Sequence, residues 1–212
     1  MKKFLMFLCA VTLVFGMVRS ASALSFTNGS FETGDFTGWD VVNSLGGSAS
    51  VVTNNSGFSA TEGTYFANLT ADSVIAQNQS WAAGESLSFD WNFNANDYMP
   101  FNDYSILSII AGGSTIDVVT LSNVATIGNY NATGWNTYEY TFASAGSGFI
   151  SFGVYNALDQ GLDSQLYIDN VGGSNGNGNG TNPVPEPSTI LLMGIGLIGL
   201  AGYSRKRFSK KS

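Results

Sequence analysis

From Ser86 to Asn94 the sequence "SLSFDWNFN" alternates without a break. Leu87, Phe89, Trp91 and Phe93 fall in one set, and Ser88, Asp90, Asn92 and Asn94 in the other. A period of two predicts a strand with one face on a core and the other in water. The pattern recurs along the chain. "YSILSIIAGGSTIDVVTLS" reads as two β-rich runs folded into a hairpin at Gly112-Gly113. "NTYEYTF" aligns Tyr138, Tyr140 and Phe142 on one face, "GFISFGVYN" aligns Ile150, Phe152 and Val154, and "SQLYIDNV" turns Leu166 and Ile168 inward. Turn residues return at short intervals and no stretch carries a 3.6-residue period. The expected class is all-β, a jelly-roll-like β-sandwich with Trp39 and Trp91 in its core.

The strands occupy only the middle of the chain. Residues 1–23 hold Lys2 and Lys3, an apolar stretch from Phe4 to Val18, and Ala21-Ser22-Ala23, the three parts of a secretory signal peptide cut after Ala23. Its removal takes away Cys9, the single cysteine, so no disulfide supports the mature domain. Leu8, too large for the residue before a lipidated cysteine, argues against a lipoprotein signal. Residues 24–173, about 150 of them, suffice for one domain with its own core. Residues 174–183, "SNGNGNGTNP", have no apolar content and read as a linker.

Residues 184–212 bring three signals together. Pro185 and Pro187 keep the backbone extended around Glu186. Ile190 to Tyr203 is almost wholly apolar, and Ser188 to Ser204 as a helix would span roughly 25 Å, a short single transmembrane segment. Arg205, Lys206, Arg207, Lys210 and Lys211 follow and would stay on the cytoplasmic side. This order, "VPEPSTILLMGIGLIGLAGYSRKRFSKKS", resembles the PEP-CTERM sorting signal. The resemblance implies an exported precursor anchored in the inner membrane by its C-terminal helix. An exosortase that recognises Pro185, Glu186 and Pro187 would process it, in a bacterium that makes exopolysaccharide. The expected destination is the cell surface, the outer envelope or the medium.

Charge restricts what the middle can do. All eight basic residues lie outside the span from Leu24 to Ser204, and the chain has no histidine. Fourteen of the fifteen acids lie between Glu32 and Asp169, Glu186 being the fifteenth. Nucleic-acid binding, which needs Lys or Arg against phosphate, is excluded as a function. So are zinc sites built on His and Cys, and catalysis by Ser-His-Asp, Cys-His or lysine. Oxygen ligands remain, and they suit calcium.

"NGSFETGDFTGWDV" near the start of the mature chain and "LYIDNV" at the end of the domain resemble the first and last strands of galactose-binding-like jelly rolls, including many carbohydrate-binding modules. That resemblance implies a structural Ca2+ where the two strands meet. The matching positions are the Ser30 carbonyl and the carboxylates of Glu32 and Asp169, with Glu62 as a fourth ligand. In the loop "NANDYMPFNDYS", Tyr98, Phe101 and Tyr104 are candidate glycan-stacking residues. Asp97 and Asp103, with Asn96 and Asn102, lack EF-hand spacing and read as solvated loop acids. The expected function is an exported structural or adhesive component of the envelope or exopolysaccharide matrix rather than an enzyme. A non-catalytic carbohydrate-binding module is the alternative, and a carboxylate-pair glycoside hydrolase a further one, needing two acids about 5 to 10 Å apart across a cleft.

Overall fold

The structure, a computed structural model, describes residues 24–173. The signal peptide, the linker at 174–183 and the whole sorting segment with Pro185, Glu186 and Pro187 lie outside the described residues. Among the described residues, no helix is long and apolar enough to cross a membrane.

Twelve strands occur among these residues: β1 (Asp40–Asn43), β2 (Ala49–Val52), β3 (Asn54–Asn55), β4 (Phe58–Ser59), β5 (Phe66–Thr70), β6 (Ser73–Trp81), β7 (Ser86–Asn94), β8 (Tyr104–Ala111), β9 (Ser114–Asn123), β10 (Asn136–Thr141), β11 (Gly146–Tyr155) and β12 (Gln165–Gly173). A single helical turn, α1 (Val124–Ile127), is capped by the Asn123 side chain, which accepts from the Thr126 N–H. Two five-stranded sheets form, in the orders β1-β6-β11-β8-β9 and β10-β7-β12-β5-β2, and every pairing within them is antiparallel. The chain is an all-β sandwich.

The predicted inward sets build its core. Leu87, Phe89 and Phe93 of β7, Ile150, Phe152 and Val154 of β11, and Leu166 and Ile168 of β12 are fully buried and belong to one apolar cluster. Trp91, Tyr138 and Tyr140 pack against it while remaining partly exposed. Trp39 is buried, stacked between Phe26 and Phe31 and touching Phe152. The β8–β9 hairpin turns at Gly112-Gly113, both at positive φ, as a two-residue turn matching strand twist requires.

Antiparallel order gathers four connections at one end of the sandwich: 71–72, 95–103, 124–135 and 156–164. Asp103 ties them. Its carboxylate accepts from the N–H of Ala157 and from the N–H and hydroxyl of Ser164, and its carbonyl accepts from the Val124 N–H. Asp97 accepts from the N–H of Tyr98 with its side chain and from that of Tyr130 with its carbonyl. Both acids are buried, which corrects their reading as solvated loop acids. They cap backbone donors that loop geometry leaves unpaired, and burial pushes the Asp103 carboxyl up.

Candidate functional site

The polar half of the β7 alternation does not face water. Register places Asn94, Gln165 and Thr70 side by side across β7, β12 and β5. The next row is Asn92, Tyr167, Asn68 and Ser50, the last from β2. Asp90 and Asp169 form the row beyond. This outer face of the second sheet carries a canopy. The β3–β4 hairpin turns tightly through Ser56 and Gly57, both at positive φ, and brings Phe58 onto Tyr167 at 5.9 Å. Trp135 donates its indole N–H to the Ser59 carbonyl at 2.9 Å and meets Phe66 edge-on at 5.5 Å. Tyr167 and Phe66 are thereby buried on what would otherwise be a wet face.

Below the canopy lies a polar strip. The Tyr167 hydroxyl donates to Gln165 Oε1 at 2.6 Å, and the Asn94 amide lies 3.3 Å from that hydroxyl. Asn92, 0% exposed, keeps an Nδ2 without a partner, and Asn68, 7% exposed, an Oδ1 without one. Buried polar atoms are nearly always paired, so a donor and an acceptor left open on β7 and β5, either side of β12, suit water or a ligand hydroxyl. A sugar hydroxyl both donates and accepts, and aromatic walls such as Trp135 and Phe58 cover the C–H faces of a pyranose. Sequence reasoning missed this strip. The amides were visible in "FDWNFN", but the residues that enclose them come from distant segments.

The four residues matched to a calcium site lie on three segments that meet. Val171 donates its N–H to the Gly29 carbonyl, so the turn holding Ser30 lies against the end of β12. Asp169 Oδ2 accepts from the N–H groups of Thr61 and Glu62 and from the Thr61 hydroxyl, at 2.7 to 3.0 Å. Its Oδ1 accepts from the Asn170 N–H alone. Glu32 Oε1 accepts from the N–H groups of Thr64 and Tyr65. Glu62 Oε2 is buried without a partner. Thus one oxygen each of Asp169 and Glu32 anchors the loop before β5. The donor set is all oxygen, the kind a hard cation takes, but among the described residues no three His, Cys, Asp or Glu side chains are grouped to hold a metal, and Glu32 and Asp169 serve as acceptors for backbone donors. Burial pushes the Asp169 carboxyl up to about 6, against its backbone hydrogen bonds. The Thr61 hydroxyl also lies 2.8 Å from Asp90 Oδ2, bridging the two acids.

The aromatic loop residues divide into two groups. Tyr98 meets Phe101 edge-on at 5.3 Å and Tyr130 at 5.8 Å. Tyr104 stands apart, stacked on Tyr155 at 5.4 Å. Tyr130, 60% exposed, was not anticipated. It joins the cluster through its hydrogen bond to the Asp97 carbonyl.

Residues 183–207 match the model of the PEP-CTERM protein-sorting motif. The chain carries a PEP-CTERM sorting signal. That signal implies an exported protein whose precursor is membrane-anchored. No curated protein sequence matches the PEP-CTERM chain. Similar solved structures include TmCBM61 in complex with β-1,4-galactotriose, 20% identical, covering 70% of this chain and 95% of that one at TM-score 0.49. Another is the CBM22-1 xylan-binding domain of Xyn10C from Paenibacillus barcinonensis, 13% identical, covering 68% and 89% at TM-score 0.38. A third is the K3 cleaved adhesin domain of Lys-gingipain from Porphyromonas gingivalis, 11% identical, covering 68% and 95% at TM-score 0.45.

Proposed function

We propose that the exported domain is an adhesive, non-catalytic module that holds a neutral glycan of the envelope or exopolysaccharide matrix on the outer face of its second sheet. The observation that carries this reading is the polar row of Thr70, Gln165 and Asn94 at the edge of the Trp135–Phe58 canopy, where Thr70 and Gln165 stay partly exposed. The Asn94 and Gln165 amides on the neighbouring strands β7 and β12 match vicinal hydroxyls, and the fourteen uncompensated acids of residues 24–173 disfavour an anionic polymer unless divalent cations bridge it. Binding rather than catalysis is favoured because Asp90 and Asp169 are both engaged. Asp90 accepts from Thr137 and Asn170, and Asp169 accepts from the loop before β5. A structural Ca2+ held by the Ser30 carbonyl, Glu32, Glu62 and Asp169 would brace that loop against β12. Exosortase is the expected processing partner.

Affinity electrophoresis through gels containing neutral or acidic polysaccharides, the native exopolysaccharide among them, tests this function. A neutral polymer should retard the protein with and without chelator. Asn94→Ala and Gln165→Ala should each weaken retardation about tenfold, the worth of one or two hydrogen bonds. A second reading places the glycan at the loop end, because Tyr98 and Tyr130 are both exposed and adjacent there. Loss of binding in Tyr98→Ala or Tyr130→Ala, with Asn94→Ala unchanged, would move the site to them. No retardation by any neutral glycan would sink the function.

A further inference from the structure

At the loop end, an open pocket of about 500 Å³ is lined by Leu45, Asp72, Asn156, Leu158, Asp159 and Gln160. Its polar lining lies outside the glycan strip and outside the segments around Asp169. Asp72 is 7% exposed and rigidly placed. The N–H and hydroxyl of Ser44 both reach its carbonyl, and its backbone lies so close to Gly47 that a side chain there would collide with it. The Asp72 Oδ1 accepts from the Asn156 N–H at 3.0 Å, while Oδ2 is buried with no partner. The Asn156 amide is oriented by chemistry. Its Nδ2 donates to the Asp163 carboxylate at 3.0 Å, which only the nitrogen can do, and its Oδ1 is left buried and unpaired.

Two acceptor oxygens without partners therefore belong to hydrogen-bonded residues that line one pocket, with the exposed Asp159 and Gln160 lining it beside them. No basic side chain exists between Leu24 and Ser204 to neutralise them. A buried carboxylate oxygen without donor or cation is costly.

We propose that this pocket is a divalent-cation site of the calcium class, with Asp72 Oδ2, Asn156 Oδ1, the Asp159 carboxylate and Gln160 Oε1 as protein ligands and water completing the shell. Calcium accepts such an irregular, partly hydrated set of oxygens, whereas magnesium demands near-octahedral geometry. With two carboxylates in an open pocket, the affinity belongs with extracellular modules, at a Kd of about 10⁻⁴ to 10⁻³ M. The ion would pin the 156–164 connection to the 44–47 turn.

Equilibrium dialysis of the purified, exported full chain against radioactive calcium tests the assignment. One calcium in the stated range should be lost, or weakened at least about tenfold, in Asp159→Asn, whose exposed loop position leaves the melting temperature in chelator unchanged. Asp72→Asn should behave alike. If that variant does not fold, Asp159→Asn decides alone. Glu62→Gln and Asp169→Asn should leave this calcium in place, which separates it from one bound near β12. No calcium bound up to about 10 mM, ten times the weakest expected Kd, would overturn the proposal. So would a calcium stoichiometry and affinity unaltered by Asp159→Asn.

Discussion

Asp169 shows how one side chain sets a pH dependence. Its pKa is raised from the ordinary carboxylate value of 3.8 to about 6 by burial, so the folded state favours the protonated form. A raised pKa contributes stability that is fully present below pH 4 and lost as pH rises through 6. By neutral pH the loss amounts to about 3 kcal/mol. Asp103, also raised by burial, adds to it with the same sign. A cation beside Asp169 reverses the argument, because it favours the charged carboxylate. In chelator, the melting temperature should therefore fall between pH 4.5 and 7. Asp169→Asn should flatten much of that slope, and calcium should flatten it in the wild type. Thermal melts across this range decide the matter; a wild-type melting temperature that climbs with pH in chelator would refute the burial account.

At the scale of elements, the β3–β4 hairpin and Trp135 turn an outer sheet face into a second buried layer. Trp135→Ala removes the hydrogen bond to the Ser59 carbonyl and the edge contact with Phe66. A loss of about 2 kcal/mol is expected for a half-buried tryptophan, with hydrogen exchange accelerated in residues 54–59 and unchanged in β11. Denaturant unfolding and exchange measurements would show it; equal acceleration in β11 would mean the hairpin is no separate unit. This layer also marks where the sequence stops being legible. Leu87, Phe89 and Phe93 are read inward correctly because alternation is local to one strand. Asp90, Asn92 and Asn94 look wet by the same pattern. Asp90 is held by Thr61 and Thr137, Asn92 by Thr133, and Asn94 by Gln165 and Tyr167, all far away along the chain. Asp103 was misread for the same reason, since its donors at Ala157 and Ser164 come from another connection, whereas Asp97 caps the N–H of Tyr98 beside it. Tyr104 was grouped with Tyr98 by proximity in sequence, and the start of a strand separates them.

At the scale of the whole chain, two kinds of information are written in different places. The C-terminal end says where the protein goes, and the PEP-CTERM signal is legible without any fold because it is a linear segment. Replacing Glu186 by Gln and both Pro185 and Pro187 by Ala should leave uncut precursor in the membrane fraction. Intact mass of the C-terminus from the native host reads the outcome, and wild-type processing of that variant would reduce the tail to a plain anchor. In the middle, what meets what is set by strand register, which no linear segment shows.

The position of β12 has a mechanical consequence. It is the central strand of the second sheet, bonded on one side to β7 and on the other to β5, and it is the last strand before residue 174. Hydrogen bonds in antiparallel sheets lie perpendicular to the strands. A pull transmitted through Gly173 therefore runs along β12 and loads both ladders in shear, all bonds sharing the force, instead of peeling them open one at a time. Gln165 and Tyr167, whose side chains line the polar strip, belong to that same strand. With the C-terminus tethered and a glycan held as proposed, the tension would be carried by the central strand of that sheet.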